Sequence, residues 1–416
     1  MKKILIILDG ASDLPNKILD NKTPLEYAYT PNLDYLTKNG KLGLMYPLDK
    51  KTIPGSDNSL IAIFGNNPQK CRRGIYEAVG AGLKLKKGNL ALRTNFATIE
   101  NLESKKLLDR RAGRTLTTEE AKELTEAINK NLKLPCRFEF KSTIEHRGVL
   151  ILRGIHSDKI SSVNSGWAGA DKASKFEFSK PLDKDLDSKK SSSLINSFIS
   201  QSYKILKNHP INQIRKKKGL FPANIILTRG AGSEIPKIRK YSKWMSINSM
   251  PLEMGIAKLS DMHNFSFKIP EIKSMDIYNY LYKLLDKKIG YSIKILKRNH
   301  KYFNGCYIQI KETDIPGHDN KPLDKKRIIE IIDEKFFKFI KEFSIKNKWE
   351  VIVACDHSTP CELKGHSNHP VPILIFNPEK IESRDYTHRF NEIEARMGSL
   401  KTFYGKDFVK ITGLDK

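Results

Sequence analysis

Asp314 and His318, in Asp314-Ile-Pro-Gly-His318, place a carboxylate and an imidazole about one helical turn apart, so both can converge on one cation. Asp356-His357 opens Asp356-His-Ser-Thr-Pro360, directly after the apolar run Val351–Ala354. Two adjacent ligands at a strand's end point toward one pocket. His366 and His369 follow in Lys364-Gly-His366-Ser-Asn-His369-Pro. Histidines among glycine and prolines sit badly in a core and well in a rigid ligand loop, and either can complete the set. Asp9 ends the first apolar run, Ile4–Leu8, and Ser56 lies in Ile53-Pro-Gly-Ser56-Asp-Asn-Ser-Leu60, ahead of an apolar helix. Each has a plain alternative. An Asp four residues before a His is common by chance, Asp356 and Asp9 suit turns, and Ser56 suits a helix cap. A serine at a helix N-terminus also has backbone N–H groups beside it that stabilise an anion.

Taken together, Asp9, Ser56, Asp356 and His357 can hold one divalent cation. Asp314 and His318, with one of the two loop histidines, can hold a second. Mixed carboxylate and imidazole donors suit Mn²⁺, Zn²⁺ or Co²⁺ better than Ca²⁺. Two ions ~4 Å apart activate a hydroxyl, hold a phosphoryl oxygen and stabilise the leaving oxygen. A metal-bound serine is then an activated nucleophile. The expected chemistry is phosphoryl transfer by way of Ser56.

The elements that must position these residues are short apolar runs, most ending in a polar or acidic cluster. Ile4–Leu8, Asn224–Leu227, Cys306–Ile310, Val351–Ala354 and Pro372–Phe376 read as strands covered on both faces, as in a parallel sheet. Helical stretches over about 273–287 and Asp324 to Lys346 lie between them. The alternation predicts an α/β fold, a doubly wound, mainly parallel sheet, in which ligands collect beyond the carboxyl ends of the strands. The middle of the chain reads differently. Gly88–Ile99 looks like a strand, and Thr117-Thr-Glu-Glu120 is a capping box opening a helix to about Asn131. Cys136–Lys141 and Gly148–Leu152 look like an antiparallel pair. This α+β pattern predicts an inserted domain over 75–205, with 1–74 and 206–416 forming the metal-binding core. Lys172–Ser193 reads as a polar loop leading into a helix that returns to the core.

A chain of 416 residues suits two domains, and 39% hydrophobic with 29% charged residues is ordinary for a folded soluble protein. The formal net charge is +27, but the lysines are scattered and Arg215–Lys218 is the one dense cluster. With no nucleic-acid-binding motif present, no specific nucleic-acid partner is expected. The excess charge instead favours small phosphorylated anions. No run approaches the roughly 18 apolar residues of a membrane span, so no membrane partner is expected. The N-terminal lysines imitate a signal peptide, but the apolar run stops at Asp9. Five cysteines, without zinc spacing, point to a reduced cytoplasmic setting, with Cys355 and Cys361 read as small buried thiols. Oligomeric state is not legible.

The ordered set Leu8-Asp9-Gly10, Pro54-Gly-Ser56-Asp57, Thr313-Asp314 with Gly317-His318-Asp319, and Asp356-His-Ser-Thr-Pro360 with Lys364-Gly-His366-Ser367 resembles the alkaline phosphatase superfamily. Within it the chain resembles the archaeal-type cofactor-independent phosphoglycerate mutases. That match rests on Arg72-Arg-Gly-Ile-Tyr-Glu77-Ala-Val-Gly-Ala-Gly82, Arg93-Thr-Asn95-Phe-Ala-Thr98, Asp109-Arg110-Arg111-Ala-Gly-Arg114 and Glu145-His146-Arg147. The resemblance spans nearly the whole chain. It implies interconversion of 3-phosphoglycerate and 2-phosphoglycerate without 2,3-bisphosphoglycerate. Ser56 would take the phosphoryl group as phosphoserine while the glycerate stays, turns and takes it back. It also implies His366, not His369, as the third ligand beside Asp314 and His318. The two ions would be Mn²⁺ first, with Co²⁺, Zn²⁺ or Mg²⁺ as alternatives. A substrate with a carboxylate and a phosphate needs gathered positive charge. Arg110, Arg111 and Arg114 offer bidentate forks, and Gly113 permits close backbone approach. Arg93, Asp109 and His146 join them as substrate-binding residues, and Lys258 is expected to reach the phosphate from the core side. Two departures bear on substrate placement. Asn164-Ser-Gly-Trp167 stands where relatives often carry an Asp-Pro-His-like segment, and Asn58 and Ser59 replace smaller or apolar residues after Ser56. A metal-dependent phosphomonoesterase or a small-molecule phosphotransferase is the alternative on the same scaffold.

Overall fold

The computed structural model describes residues 1–163, 175–270, 277–381 and 385–415. The Asn164–Trp167 segment lies outside the described residues, as do positions 273–276 of the expected helix. In chain order the strands are β1 (Lys3–Leu8), β2 (Lys41–Tyr46), β3 (Leu90–Ile99), β4 (Leu107–Asp109), β5 (Phe138–Ser142), β6 (Arg147–Leu152), β7 (Ile225–Gly232), β8 (Trp244–Ile247), β9 (His263–Phe265), β10 (Gly305–Ile310), β11 (Glu350–Ala354), β12 (Val371–Phe376) and β13 (Thr402–Tyr404).

Eight of them form one sheet in the order β13-β2-β12-β11-β1-β10-β8-β9. Its centre is parallel, with Ile4 of β1 opposite Cys306 of β10 and Val351 of β11. These strands are buried along their length, which is why their sequences run apolar without alternation. The long helices Ile277–Asn299 and Pro322–Ile331, the latter continuing through Ile332–Phe337 into Lys338–Asn347, pack against this core. The α/β class with a mainly parallel sheet is as expected. Pro372–Phe376 is a correction: as β12 it runs antiparallel to both β11 and β2. Burial of both faces fixes the apolar run, not the strand's direction.

The second sheet is antiparallel, in the order β4-β3-β6-β5, with β7 also paired to β3. The run Asn224–Leu227 therefore belongs here and not to the parallel core. Its apolar character has a local cause. The helix Leu186–Lys207 covers one face of β7, and the helix Arg73–Gly80 also packs on it. Strand pairing carries this lobe through Gly232, so we propose an insertion of 75–232 in place of 75–205. The helix Leu186–Lys207 also begins inside the stretch read as loop, and its small Ser188 and Ser191 side chains are buried against Ser157. Thr117 and Glu120 make the expected reciprocal cap of the helix Thr118–Asn131. Arg215, first of the basic cluster, is only 1% exposed. It donates to Ala112 O, Thr115 O, Phe221 O and Glu120 Oε2, so it ties loops together instead of presenting charge.

The two lobes meet where the helices Arg73–Gly80 and Pro251–Leu259 cross. A Cβ on Gly80 would stand 1.8 Å from Pro251 O, and one on Gly255 1.8 Å from Tyr76 O. Backbone touches backbone at this crossing. Gly255→Ala is expected to cost ~1–3 kcal/mol, as overpacking does. A shifted urea midpoint together with reduced turnover checks it. Among the described residues no helix is long and apolar enough to cross a membrane.

Candidate two-metal active site

Asp9 follows β1, Asp314 lies just beyond β10, and Asp356 lies just beyond β11. Adjacent parallel strands thus deliver three carboxylates to one sheet edge. The Asp9 N–H donates to Ile310 O at 2.8 Å, and Thr313 Oγ1 donates to Asp9 O at 2.5 Å. Candidate ligand atoms of Asp314, His318 and His366 lie within 4.8 Å of one another, and so do those of Asp9, Asp314 and His357. Asp314 thus stands between both groups instead of in one alone. Asp356 Oδ1 accepts the N–H groups of Gly10 and His357, while its Oδ2 lies 3.5 Å from His357 Nε2. His369 is exposed, with Nδ1 on Ser367 Oγ, so the loop contributes His366.

The tautomers are fixed by neighbours. His318 Nδ1 lies 3.1 Å from Lys364 O, and His366 Nδ1 2.8 Å from Pro54 O. A carbonyl only accepts, so each Nδ1 carries the proton. Thr359 Oγ1 donates to Asp314 Oδ1 at 2.8 Å and therefore accepts from His357 Nδ1 at 3.0 Å. The Nε2 lone pairs of His357 and His366 are left for a ligand, the arrangement that outer hydrogen bonds give metal-binding histidines, whereas His318 Nε2 lies 3.4 Å from Asp314 Oδ2, which outweighs burial and raises that imidazole. Burial holds His357 and His366 down to about 3, in the neutral ligating form. Burial also raises Asp9 and, with Asp9 beside it, raises Asp356 well above the usual carboxylate range. It acts the same way on Asp314, but His318 and His366 outweigh it and hold that carboxyl well below. Crowded buried carboxylates facing neutral imidazoles fit divalent cations.

Ser56 is the first residue of the helix Ser56–Ile63, and its Oγ lies 3.2 Å from His357 Nε2. The cap is Gly55, whose N–H donates to Asn58 Oδ1 at 2.8 Å. Asn58 thus does the capping, and the Ser56 hydroxyl is left to the site.

A cavity of about 190 Å³ joins this cluster to the antiparallel lobe. Ser56, Asp314, His318 and His366 line one part, and Arg73, Arg93, Arg111, Arg114, Arg147 and Arg229 line much of the rest. Arg93 and Arg229 are cross-strand partners on β3 and β7. Arg73 Nε donates to Glu77 Oε1 at 2.6 Å, with Arg93 Nε 3.4 Å from the same oxygen. Burial, then Arg229 and Arg73, pushes Arg93 well below its usual value. Burial, then Arg73, lowers Arg229 to about 9, and burial, then Arg114, lowers Arg111 to about 10. Like charges crowded in this way are relieved by an anion. His146 is 3% exposed, its Nδ1 has no hydrogen-bond partner, and burial with Arg147 and Arg111 keeps the ring neutral.

The arrangement sorts the expected substrate residues. Arg93, Arg111, Arg114 and His146 line the cavity. Arg110 instead lines an adjoining cleft of about 450 Å³. Asp109 also borders that cleft, and its Oδ1 accepts the N–H groups of Arg111 and Gly113, both at 2.7 Å. Its carboxylate shapes the loop. Lys258 is corrected outright. It is exposed in the last turn of its helix, while Glu253 in the first turn reaches the cavity. Lys311 occupies the core side instead. Its Nζ bonds Asp9 Oδ2 and lies 2.9 Å from Glu253 Oε1. Burial alone would lower Lys311, yet Asp9 and Glu253 hold it above its usual value. Sequence reasoning missed Lys311, Arg73, Arg147 and Arg229. The usable signal was position: Lys311 directly follows β10, and Arg229 lies two residues past Leu227, the last residue of the apolar run in β7.

A family model described as 2,3-bisphosphoglycerate-independent phosphoglycerate mutase matches residues 37–212. The 2,3-bisphosphoglycerate-independent phosphoglycerate mutase of Pyrococcus furiosus is 37% identical over 418 residues, covering 99% of this chain and 96% of the relative. A relative of the same description from Methanocaldococcus jannaschii is 36% identical over the same shares. Among solved structures, a Pyrococcus horikoshii protein superposes with a TM-score of 0.76 at 30% identity, covering 99% of this chain and 96% of that one. The cofactor-independent phosphoglycerate mutase of Thermoplasma acidophilum superposes with a TM-score of 0.59 at 28% identity, covering 100% and 99%.

Proposed function

This chain belongs to the 2,3-bisphosphoglycerate-independent phosphoglycerate mutases, and on that premise we propose that it interconverts 3-phosphoglycerate and 2-phosphoglycerate by passing the phosphoryl group through Ser56. The observation that carries the proposal is the place of the Ser56 hydroxyl. It stands at a helix start, 3.2 Å from His357 Nε2, where the carboxylate–imidazole cluster opens onto the arginine cavity.

In this reading Ser56 Oγ attacks phosphorus, and the bond from phosphorus to the substrate's ester oxygen breaks. The serine proton leaves, and the freed glycerate oxygen gains one. The glycerate turns within the cavity, its other hydroxyl attacks the phosphoserine, and Ser56 Oγ departs as a hydroxyl. Atoms balance without water or 2,3-bisphosphoglycerate. Arg93, Arg111 and Arg229 supply forks for the carboxylate and the phosphoryl oxygens. Neutral His146, with an unpartnered ring nitrogen, suits a glycerate hydroxyl. The N–H groups at the start of the Ser56–Ile63 helix face developing negative charge.

Asp9, Ser56, Asp356 and His357 would hold one divalent cation and Asp314, His318 and His366 the other, Asp314 being within reach of both groups. The mixed donors put Mn²⁺ first, then Co²⁺, Zn²⁺ or Mg²⁺. Such ions, when bound, lower the pKa of a coordinated hydroxyl and offset charge on phosphoryl oxygens. A cytoplasmic setting belongs to the same proposal, in keeping with five free thiols.

The test is an enolase-coupled assay on 3-phosphoglycerate with Mn²⁺ and no 2,3-bisphosphoglycerate. Steady formation of 2-phosphoglycerate is expected. Stoichiometric release of inorganic phosphate in its place would favour a phosphomonoesterase.

A further inference from the structure

Asp319 lies outside both ligand groups, although it directly follows His318. It closes the short helix Asp314–His318, its N–H bonding Ile315 O at 3.1 Å, so its position is tied to that of the ligands Asp314 and His318. Its carboxylate faces the other lobe. Arg114 Nη1 donates to Asp319 Oδ1 at 2.8 Å and to Oδ2 at 3.1 Å, and the Tyr278 hydroxyl donates to Oδ2 at 3.1 Å. Arg114 ends a loop made rigid from within its own lobe. Ala112, Gly113 and Arg114 all sit in the left-handed region, at φ of 47°, 69° and 55°. Asp109 accepts two of the loop's N–H groups, and Arg215 holds Ala112 O from behind. Arg111, on the same loop, lines the cavity. A stiff loop pinned at one end moves as a unit.

We propose that Asp319, steadied by Tyr278, is a positioning residue that latches the arginine loop of the inserted lobe over the ligand cluster and thereby directs the phosphoryl group to glycerate and away from water. The inference rests on the phosphoserine reading of Ser56. The side chains of Arg114 and Asp319 are 27% and 26% exposed, so screening keeps their pairing weak. A weak pair is a poor staple for the fold and a suitable latch, since substrate must enter and product must leave. With the loop released, water reaches the phosphoserine. A water oxygen bonds phosphorus as the P–Oγ bond breaks, the proton lost by that water restores the serine hydroxyl, and inorganic phosphate leaves together with glycerate.

The measurement is the ratio of inorganic phosphate released to 2-phosphoglycerate formed, in the Mn²⁺-loaded enzyme, for wild type, Asp319→Asn, Asp319→Glu and Tyr278→Phe. Asp319→Asn is expected to raise the ratio about tenfold or more, since excluding water is the role assigned to the latch. Mn²⁺ affinity should stay within about twofold, because the ligands are untouched. Asp319→Glu should recover part of the wild-type ratio. An unchanged ratio in a folded Asp319→Asn enzyme overturns the latch, and so does a loss of Mn²⁺ affinity that matches the loss of transfer. If Asp319→Asn does not fold, Tyr278→Phe decides: a rise of about threefold supports the latch and no rise overturns it. A wild type that forms no 2-phosphoglycerate would instead defeat the Ser56 reading beneath it.

Discussion

Ser56→Ala is expected to lower interconversion by about 10⁴-fold or more, the scale on which nucleophile removal acts in covalent catalysis. The loss should come without unfolding. Ser56 is the first helical residue, while the helix start is capped through Gly55 and Asn58. Alanine suits the first turn of a helix, so the thermal midpoint should hardly move. The remaining candidate ligands Asp9, Asp356 and His357 are all buried and unaltered. Mn²⁺ binding should therefore persist with modest weakening. Acid quenching of wild type during turnover should trap phosphate on the peptide that contains Ser56, and the variant should show none. Activity within tenfold of wild type, or a label on another residue, would remove Ser56 from the pathway.

Stripping with EDTA is expected to lower activity by at least about 10³-fold, and Mn²⁺ or Co²⁺ should restore it. Burial raises the carboxyls of Asp9 and Asp356, so without a cation each holds its proton to a higher pH than an exposed carboxyl does. Ligation requires them ionised. Binding should then release protons and tighten as pH rises. A folded state that binds the ion gains stability by mass action, about 2.7 kcal/mol at a hundredfold excess over Kd. Calorimetry on the stripped protein reads all three effects. Full activity after exhaustive chelation would end the metal reading.

The parallel core was legible because strands buried on both faces cannot hide their composition. β1 and β11 announce themselves as apolar runs, and β10 as one broken only by Gln309, and the acids beyond their ends follow from that placement. Strand direction was not legible: β7 opens on an apolar run and β12 is apolar throughout, and the pairing of both is decided by distant partners. The ligand residues were readable as short local motifs. The cavity was not, because Arg73, Arg147 and Arg229 come from a helix and two strands far apart in the chain and become one charge cluster only after the antiparallel sheet pairs. Lys258 illustrates the opposite failure. A basic residue in a suggestive motif was placed by a helical phase that turns it to solvent, while Lys311, directly after β10, lines the cavity from the core side.

The crossing at Gly80 and Gly255 sets a limit of its own. Main chain rests on main chain there, so no rotamer change can bring the halves closer. The lobes can rock about that pivot, but they cannot press closer at it than main-chain contact allows. The throat of the enzyme has in effect a least width set by main chain. Adjustment to the guest falls to the side chains that line the cavity, above all the tips of the arginines.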